Sequence, residues 1–431
     1  MTETGVKREL TAVSPPARKG NPWLPTFGGV KLVTGIALRR RRPTGKGYVI
    51  YGILFAVVVA MCILAAIVST DQLSSVNLEL VLVMVLGVGM LIAPSLSATS
   101  INGDSSEGVL APLQMTHLTA GDIAVGKLIA SWFVSVIALA ALSPFLVFGY
   151  IKSGWHLDEL AITIGAILLV VLAFTAVGLA WSALSARAIA SVSLAHLTTG
   201  FFAIGTLVLY AVVGGLVSDT YTSSDRYVDW TSLNETQSEA LENAQMTGDY
   251  SELNPDDYTC ITEEWSYSVV RTNEIAGLLL VNPVVMISET APIVDPDTWE
   301  KDGRAAPGLF AEIHSMVAGA RLGPDHDPYA MQNNGQEGGY DECANIAEQS
   351  ADSYDRDAAV EAQEQEWAED EQQWEEQEAR FAEYEQKRAT LDRAPWIGLG
   401  LQVVLLVGSM ALVIQRLRVP YKKLRSGTRV A

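Results

Sequence analysis

The chain has 431 residues, a mean hydropathy of +0.23 and a formal charge of −20, a combination that excludes a uniformly composed globular protein. The charge is local: residues 218–394 carry 40 of the 49 acidic and 10 of the 29 basic residues, a net of −30, and the remainder is a mildly basic, apolar body at +10. Three cysteines exclude a disulfide scaffold, and no nucleic-acid partner is expected for so acidic a chain.

Residues 1–20, with Ser-Pro-Pro and scattered charges, read as a disordered tail. From Asn21 to Lys46, Leu32, Val33 and Ile36 recur at helical spacing beside a basic cluster. Two readings fit: an amphipathic helix lying on the membrane surface, or a plain positively charged anchor. Six apolar runs then have the length that spans a bilayer core: Tyr48–Val68, Val76–Leu96, Leu128–Tyr150, Leu160–Leu184, Ala190–Val217 and Trp396–Val413. Ile275–Ile287 is shorter and broken by Asn282-Pro283, which suits a re-entrant segment over 275–290. Cys62 lies inside the first run and reads as a small buried hydrophobe. Asp71 and Glu79 look interfacial, as do Trp155 and Trp396 near span ends.

The stretch 101–127 separates the second and third runs. It holds Glu107 and Gly108, leucines at Leu110, Leu113 and Leu118, then His117, Asp122 and a Gly126-Lys127 step into the next apolar run. The leucine spacing predicts a short amphipathic helix against the membrane surface. Residues 121–128 nearly match a phosphate-binding loop, but Leu128 replaces the hydroxyl that would hold magnesium and no parallel-sheet pattern surrounds them. No ATP site, cofactor or metal is therefore expected in this chain. His-Glu-x-x-His, Gly-x-Ser-x-Gly and paired-cysteine zinc spacings are all absent, so no catalytic residues are predicted. His196, early in the fifth run, reads as a neutral histidine bonded inside the bundle.

Lys and Arg fall before the first run, after the sixth and between the fourth and fifth. Six spans with that bias put both termini in the cytoplasm and segment 218–394 outside, in the cell membrane. Within this insert, Ser218–Glu274 is polar with scattered aromatics, and Thr298–Tyr354 is rich in turn residues. Residues 357–393 favour a long helix. Val360, Trp367, Trp374 and Phe381 recur on it every seven residues, a stripe that fits an extracellular partner helix or the insert's own surface. Cys260 and Cys343 either pair, if the insert meets an oxidising compartment, or remain thiols. The acidic face lacks an Asp-x-Asp-x-Asp-Gly loop and reads as solvated surface rather than a calcium site. The fold class expected is an all-α polytopic membrane protein, with a mainly helical and irregular extracellular domain between the fifth and sixth spans.

Glu107, Gly108, Leu110, Leu113, Gly126 and Lys127, in that order after a second span, resemble the permeases of ABC-2 type transporters. Val109 stands where that family usually has Thr, and His117 where it usually has Pro. The resemblance covers roughly residues 21–217, 275–290 and 395–420, and omits the bulk of the acidic insert. It implies an elbow helix over 21–46, a coupling helix within 101–127, and docking of Glu107, Gly108, Leu110, Leu113, His117, Asp122, Gly126 and Lys127 on ABC ATPase subunits that hold the ATP and magnesium. It also implies a second permease subunit, as homo- or heterodimer, and export powered by the separate ATPase. A non-transporting scaffold or mechanotransmission protein, whose outer helix binds a partner, is the alternative.

Overall fold

The computed structural model describes residues 21–40, scattered positions between 49 and 63, and residues 75–250, 253–292, 308–327, 341–351 and 375–418. The predicted first span, Tyr48–Val68, lies largely outside these, as do Asp71, Val360, Trp367, Trp374, the N-terminal tail and the basic C-terminal tail. Two compact units divide the chain: residues up to 206 with 280–310 and 394–431, and residues 207–279 with 311–393.

The first unit is a helical bundle. Helix α1 (Phe27–Arg40) precedes α2 (Val76–Ser97), two short helices α3 (Ser100–Ser106) and α4 (Leu110–Met115), and α5 (Ala120–Ala140). Next come α6 (Ser143–Ser153), α7 (Leu157–Leu184) and α8 (Ala188–Gly200). Among the described residues five helices are long and apolar enough to cross a membrane, which marks the chain as a membrane protein. Helices α2 and α7 are the most buried of these and pack together, with Phe174, Ala176 and Leu179 of α7 fully buried.

Several predicted boundaries are corrected here. The third apolar run is two helices, because Pro144 lacks the N–H that would continue α5 through residues 141–142. The expected coupling helix over 101–127 is α3 plus α4, separated at Gly108, whose φ of +73° only glycine adopts cheaply. Trp155 is 7% exposed and packs on Phe310 at 6.3 Å. Glu79 is 3% exposed, and its Oε2 accepts the backbone N–H of Phe310 at 2.8 Å.

After α8 the backbone widens into a π-helix, Phe201–Gly205, before α9 (Thr206–Gly214). Asn282 explains how it persists. Its Nδ2 donates to the carbonyls of Phe202 and Ala203 at 3.2 and 2.9 Å, groups that a π-bulge leaves short of intrahelical partners. The same side chain accepts from Val284 and Val285, capping α11 (Pro283–Ser288) within the predicted re-entrant segment.

The second unit is mainly helical and irregular among its described residues, and adds two strands that the sequence did not lead us to expect. Strands β1 (Ser218–Val228) and β2 (Cys260–Val270) form an antiparallel ribbon with Ser218 opposite Val270 and Val228 opposite Cys260. Helix α10 (Glu235–Thr247) covers one end, where Val228, Leu241, Leu253 and Ile346 make a small core. Cys260 and Cys343 form a disulfide beside that core. Tyr258 packs there too, and its phenol is pushed above its ordinary value, first by burial and then by the Asp257 carboxylate. Of the predicted long helix, residues 375–390 are helical; the chain then breaks before Pro395 opens α15 (Pro395–Arg418), the last membrane-length helix. We number the intervening helices α12 (Leu309–Leu322), α13 (Glu342–Ala351) and α14 (375–390). On α14 Phe381 is half-buried and Tyr384 buried, next to Gly319 of α12.

Candidate coupling site

The segment from Ser100 to Lys127 is held on its inner face by charge, hydrogen bonds and apolar contact. Asp104 of α3 is the hub. Its Oδ2 accepts from Lys127 Nζ at 2.6 Å and its Oδ1 from Arg40 Nη1 at 3.1 Å. Arg40 also pairs with Glu107 through its second terminal nitrogen. Lys127 is 4% exposed and donates a further 2.6 Å bond to the Ser100 carbonyl. A buried ammonium is costly unless paired and hydrogen-bonded, and here it is both. Together Arg40, Asp104, Glu107 and Lys127 line a cleft of about 470 Å³ between α1, α2, α3 and α5.

Helix α1 is seated by α5. Asp122 closes a capping box with Thr119, its Oδ2 accepting the Thr119 N–H at 2.8 Å while Thr119 accepts the Asp122 N–H at 3.0 Å. The other carboxylate oxygen takes the N–H and the hydroxyl of Thr26, at 2.5 and 3.0 Å, so one aspartate serves the first turns of two helices. Gly126 gives α1 its approach: a Cβ there would fall 2.6 Å from Cβ of Val33. Of the three predicted surface-helix residues, Val33 is 3% exposed while Leu32 and Ile36 remain exposed at 55% and 39%. They do not share one environment.

Two further anchors reach α7 and α15. Ser182 Oγ accepts the N–H groups of Ile101 and Asn102 at 2.9 and 3.2 Å, where α3 begins. Gln114 Nε2 donates to the Leu417 carbonyl at 3.2 Å, and the Arg418 guanidinium lies 5.1 Å from the centre of the Trp23 ring. The apolar core beneath includes Val33, Ile101, Leu110, Ile123, Leu179 and Leu417.

The predicted docking residues therefore divide. Leu110, Asp122, Gly126 and Lys127 are buried and position the segment; Leu113 is partly buried. Glu107, Gly108 and His117 are on the surface, with Thr116 beside His117. Residues 121–128 are helical throughout, unlike a phosphate-cradling loop. His196 Nε2 lies 3.0 Å from the Ser95 hydroxyl. Asp104, Arg40, Thr26 and Ser182 complete the site and were not singled out from the sequence. Their pairings join residues 23 to 96 positions apart, beyond the reach of any local spacing. The Thr119–Asp122 box, with Thr three residues before Asp at a helix start, is a readable local signal. No family model matches the chain, and neither a curated protein nor a solved structure does.

Proposed function

We propose that this chain is the permease subunit of an ATP-driven ABC-2 type exporter, coupling hydrolysis by a separate ATPase subunit to movement of a substrate across the cell membrane. The observation that carries the reading is the linkage of the segment 100–127. Its exposed corners, Glu107-Gly108 and Thr116-His117, continue into anchors on α1, α5, α7 and α15. A push on those corners is delivered to four helices at once through charged and buried contacts. Such an element fits the role of coupling helix, because coupling needs a contiguous, stiff connection to elements with two packings. The Cys260–Cys343 disulfide supports an oxidising, outer location for the acidic unit, with both termini inside. A second reading keeps the ATPase and drops the transported solute: a unit with its own core and crosslink is equipped to act on an outer partner.

His117→Glu is the cleaner probe of docking, because Glu107 also holds Arg40. The tagged chain, extracted in mild detergent from its native membrane, is expected to bring down a subunit with a phosphate-binding loop and measurable ATP hydrolysis. His117→Glu is expected to lower both by about tenfold, a loss of roughly 1.4 kcal/mol, with no change in the chain's melting midpoint. Purified chain with neither an ATPase subunit nor hydrolysis overturns the proposal.

A further inference from the structure

An amide in the core of the bundle is left without a partner. Gln402, about two turns into α15, is fully buried, and among the described residues neither its Nε2 nor its Oε1 makes a hydrogen bond. Buried hydroxyls on the neighbouring helices are treated differently. Ser97, Ser131, Ser135, Thr163, Thr175 and Thr199 each donate to the carbonyl four residues back. Asn282 uses both ends of its amide. Lipid offers neither donor nor acceptor, so a buried amide with both ends unbonded raises the free energy of the packing that holds it.

The position of Gln402 gives that cost a location. A Cβ on Gly398 would fall 2.5 Å from Met286 Cγ and 2.7 Å from the Leu280 carbonyl oxygen, so the missing side chain lets α15 press against the re-entrant segment. Gln402 follows one turn later on the same face. Helical side chains lean over the preceding turn, which directs its amide toward this joint. Met286 is fully buried there and Leu280 is buried. Asn282 ties the segment to the π-helix by hydrogen bonds, whereas at Gly398 the segment meets α15 through a methionine side chain and one backbone carbonyl.

We propose that this joint is an opening device built into the bundle. Helices α11 and α15 part at Met286 and Gly398, water enters, and both ends of the Gln402 amide become bonded. The closed packing carries the cost of an unbonded amide and the open one the cost of wetted apolar surface, so the two lie close in free energy. Asn282 supplies the fixed side, because its bonds to the π-helix do not cross the joint. An apolar residue at position 402 favours the closed packing twice over: it has no polar group to leave unbonded, and it gains nothing from water. None of this requires an ATPase partner or a transported substrate.

The test is thiol modification in native membranes made permeable to a charged methanethiosulfonate, with the unsubstituted chain as background. Met286→Cys is expected to react, because the open joint wets it. Leu82→Cys, equally buried on α2, is expected to stay at background. Adding Gln402→Leu to Met286→Cys is expected to slow the reaction about tenfold, and Gln402→Asn, which keeps an amide at the joint, by less than about twofold. Amide exchange gives a second measurement free of the introduced cysteine: Gln402→Leu alone is expected to slow exchange over residues 283–288 about tenfold, with a smaller change in α7. An inert Met286→Cys, a Leu82→Cys that reacts as fast, or exchange over 283–288 indifferent to Gln402→Leu overturns the proposal.

Discussion

Three buried carboxylates in the bundle share one task, which is to hold the start of another helix. Asp122 takes the Thr26 N–H ahead of α1, Glu79 the Phe310 N–H in the opening turn of α12, and Glu289 the Ala394 N–H just before α15. A helix N-terminus presents unpaired N–H groups and partial positive charge, so an acid seated there is both satisfied and stabilising. That accounts for charge in an otherwise apolar body without a catalytic role. Asp104 differs, because its partners are two cations. Asp104→Ala strips Lys127 of its carboxylate, and an ammonium left buried costs roughly 3–5 kcal/mol. Lys127→Met leaves Asp104 paired with Arg40 and removes the buried charge, for a cost of about 1 kcal/mol. The double variant should therefore melt above Asp104→Ala alone. Melting midpoints of the purified chain in one detergent give the order, and an Asp104→Ala protein as stable as Lys127→Met would sink the argument.

At the level of elements, the π-helix and the segment that supports it stand or fall together. Asn282 uses its amide nitrogen on two freed carbonyls and the Thr206 hydroxyl, and its amide oxygen on the cap of α11. Asn282→Ala loses both sets, at roughly 2–4 kcal/mol. Asn282→Asp keeps the cap but points a carboxylate at two carbonyl oxygens, and is expected to be the worse of the two. Faster amide exchange across 201–206 in both variants, greater in the aspartate, checks this. The sequence displayed this element well: Asn-Pro interrupts an apolar run, and such a break requires new partners for the backbone. The long helices were equally legible, since hydropathy alone marks α2, α5, α7 and α15. The strands were not read, although β2 alternates Trp265-Ser266-Tyr267-Ser268-Val269 in plain period two. β1 offers far less, because its polar residues alternate with other polar residues and no buried face imposes a pattern. At the candidate site the local pieces were visible in the leucine spacing and the Gly126-Lys127 step. The ion network through Asp104 was not, because it joins elements distant in sequence.

The whole chain is a division of labour by composition. An apolar, mildly basic bundle lets buried surface and a few fully bonded polar groups hold helices together. An acidic segment of net −30 must instead fold against its own repulsion on the small core around Leu241 and Ile346. The core among the described residues is small, so the crosslink carries more of the unit's stability. Cys260 and Cys343 are separated by 83 positions, and closing a loop of that length removes about 4–5 kcal/mol of chain entropy from the unfolded state. The Cys260→Ala/Cys343→Ala double variant, or reduction of the native chain, is expected to release α13 from the end of β1, where Val228 N–H meets Glu342. Amide exchange should rise sharply in residues 341–351 and in β1 and β2, while α2, α5 and α7 keep their protection. Low salt should worsen the loss, because unscreened carboxylates then repel over a longer range. If exchange in the ribbon is unchanged after the disulfide is removed, the core alone suffices, and the acidic unit's self-repulsion has been overestimated.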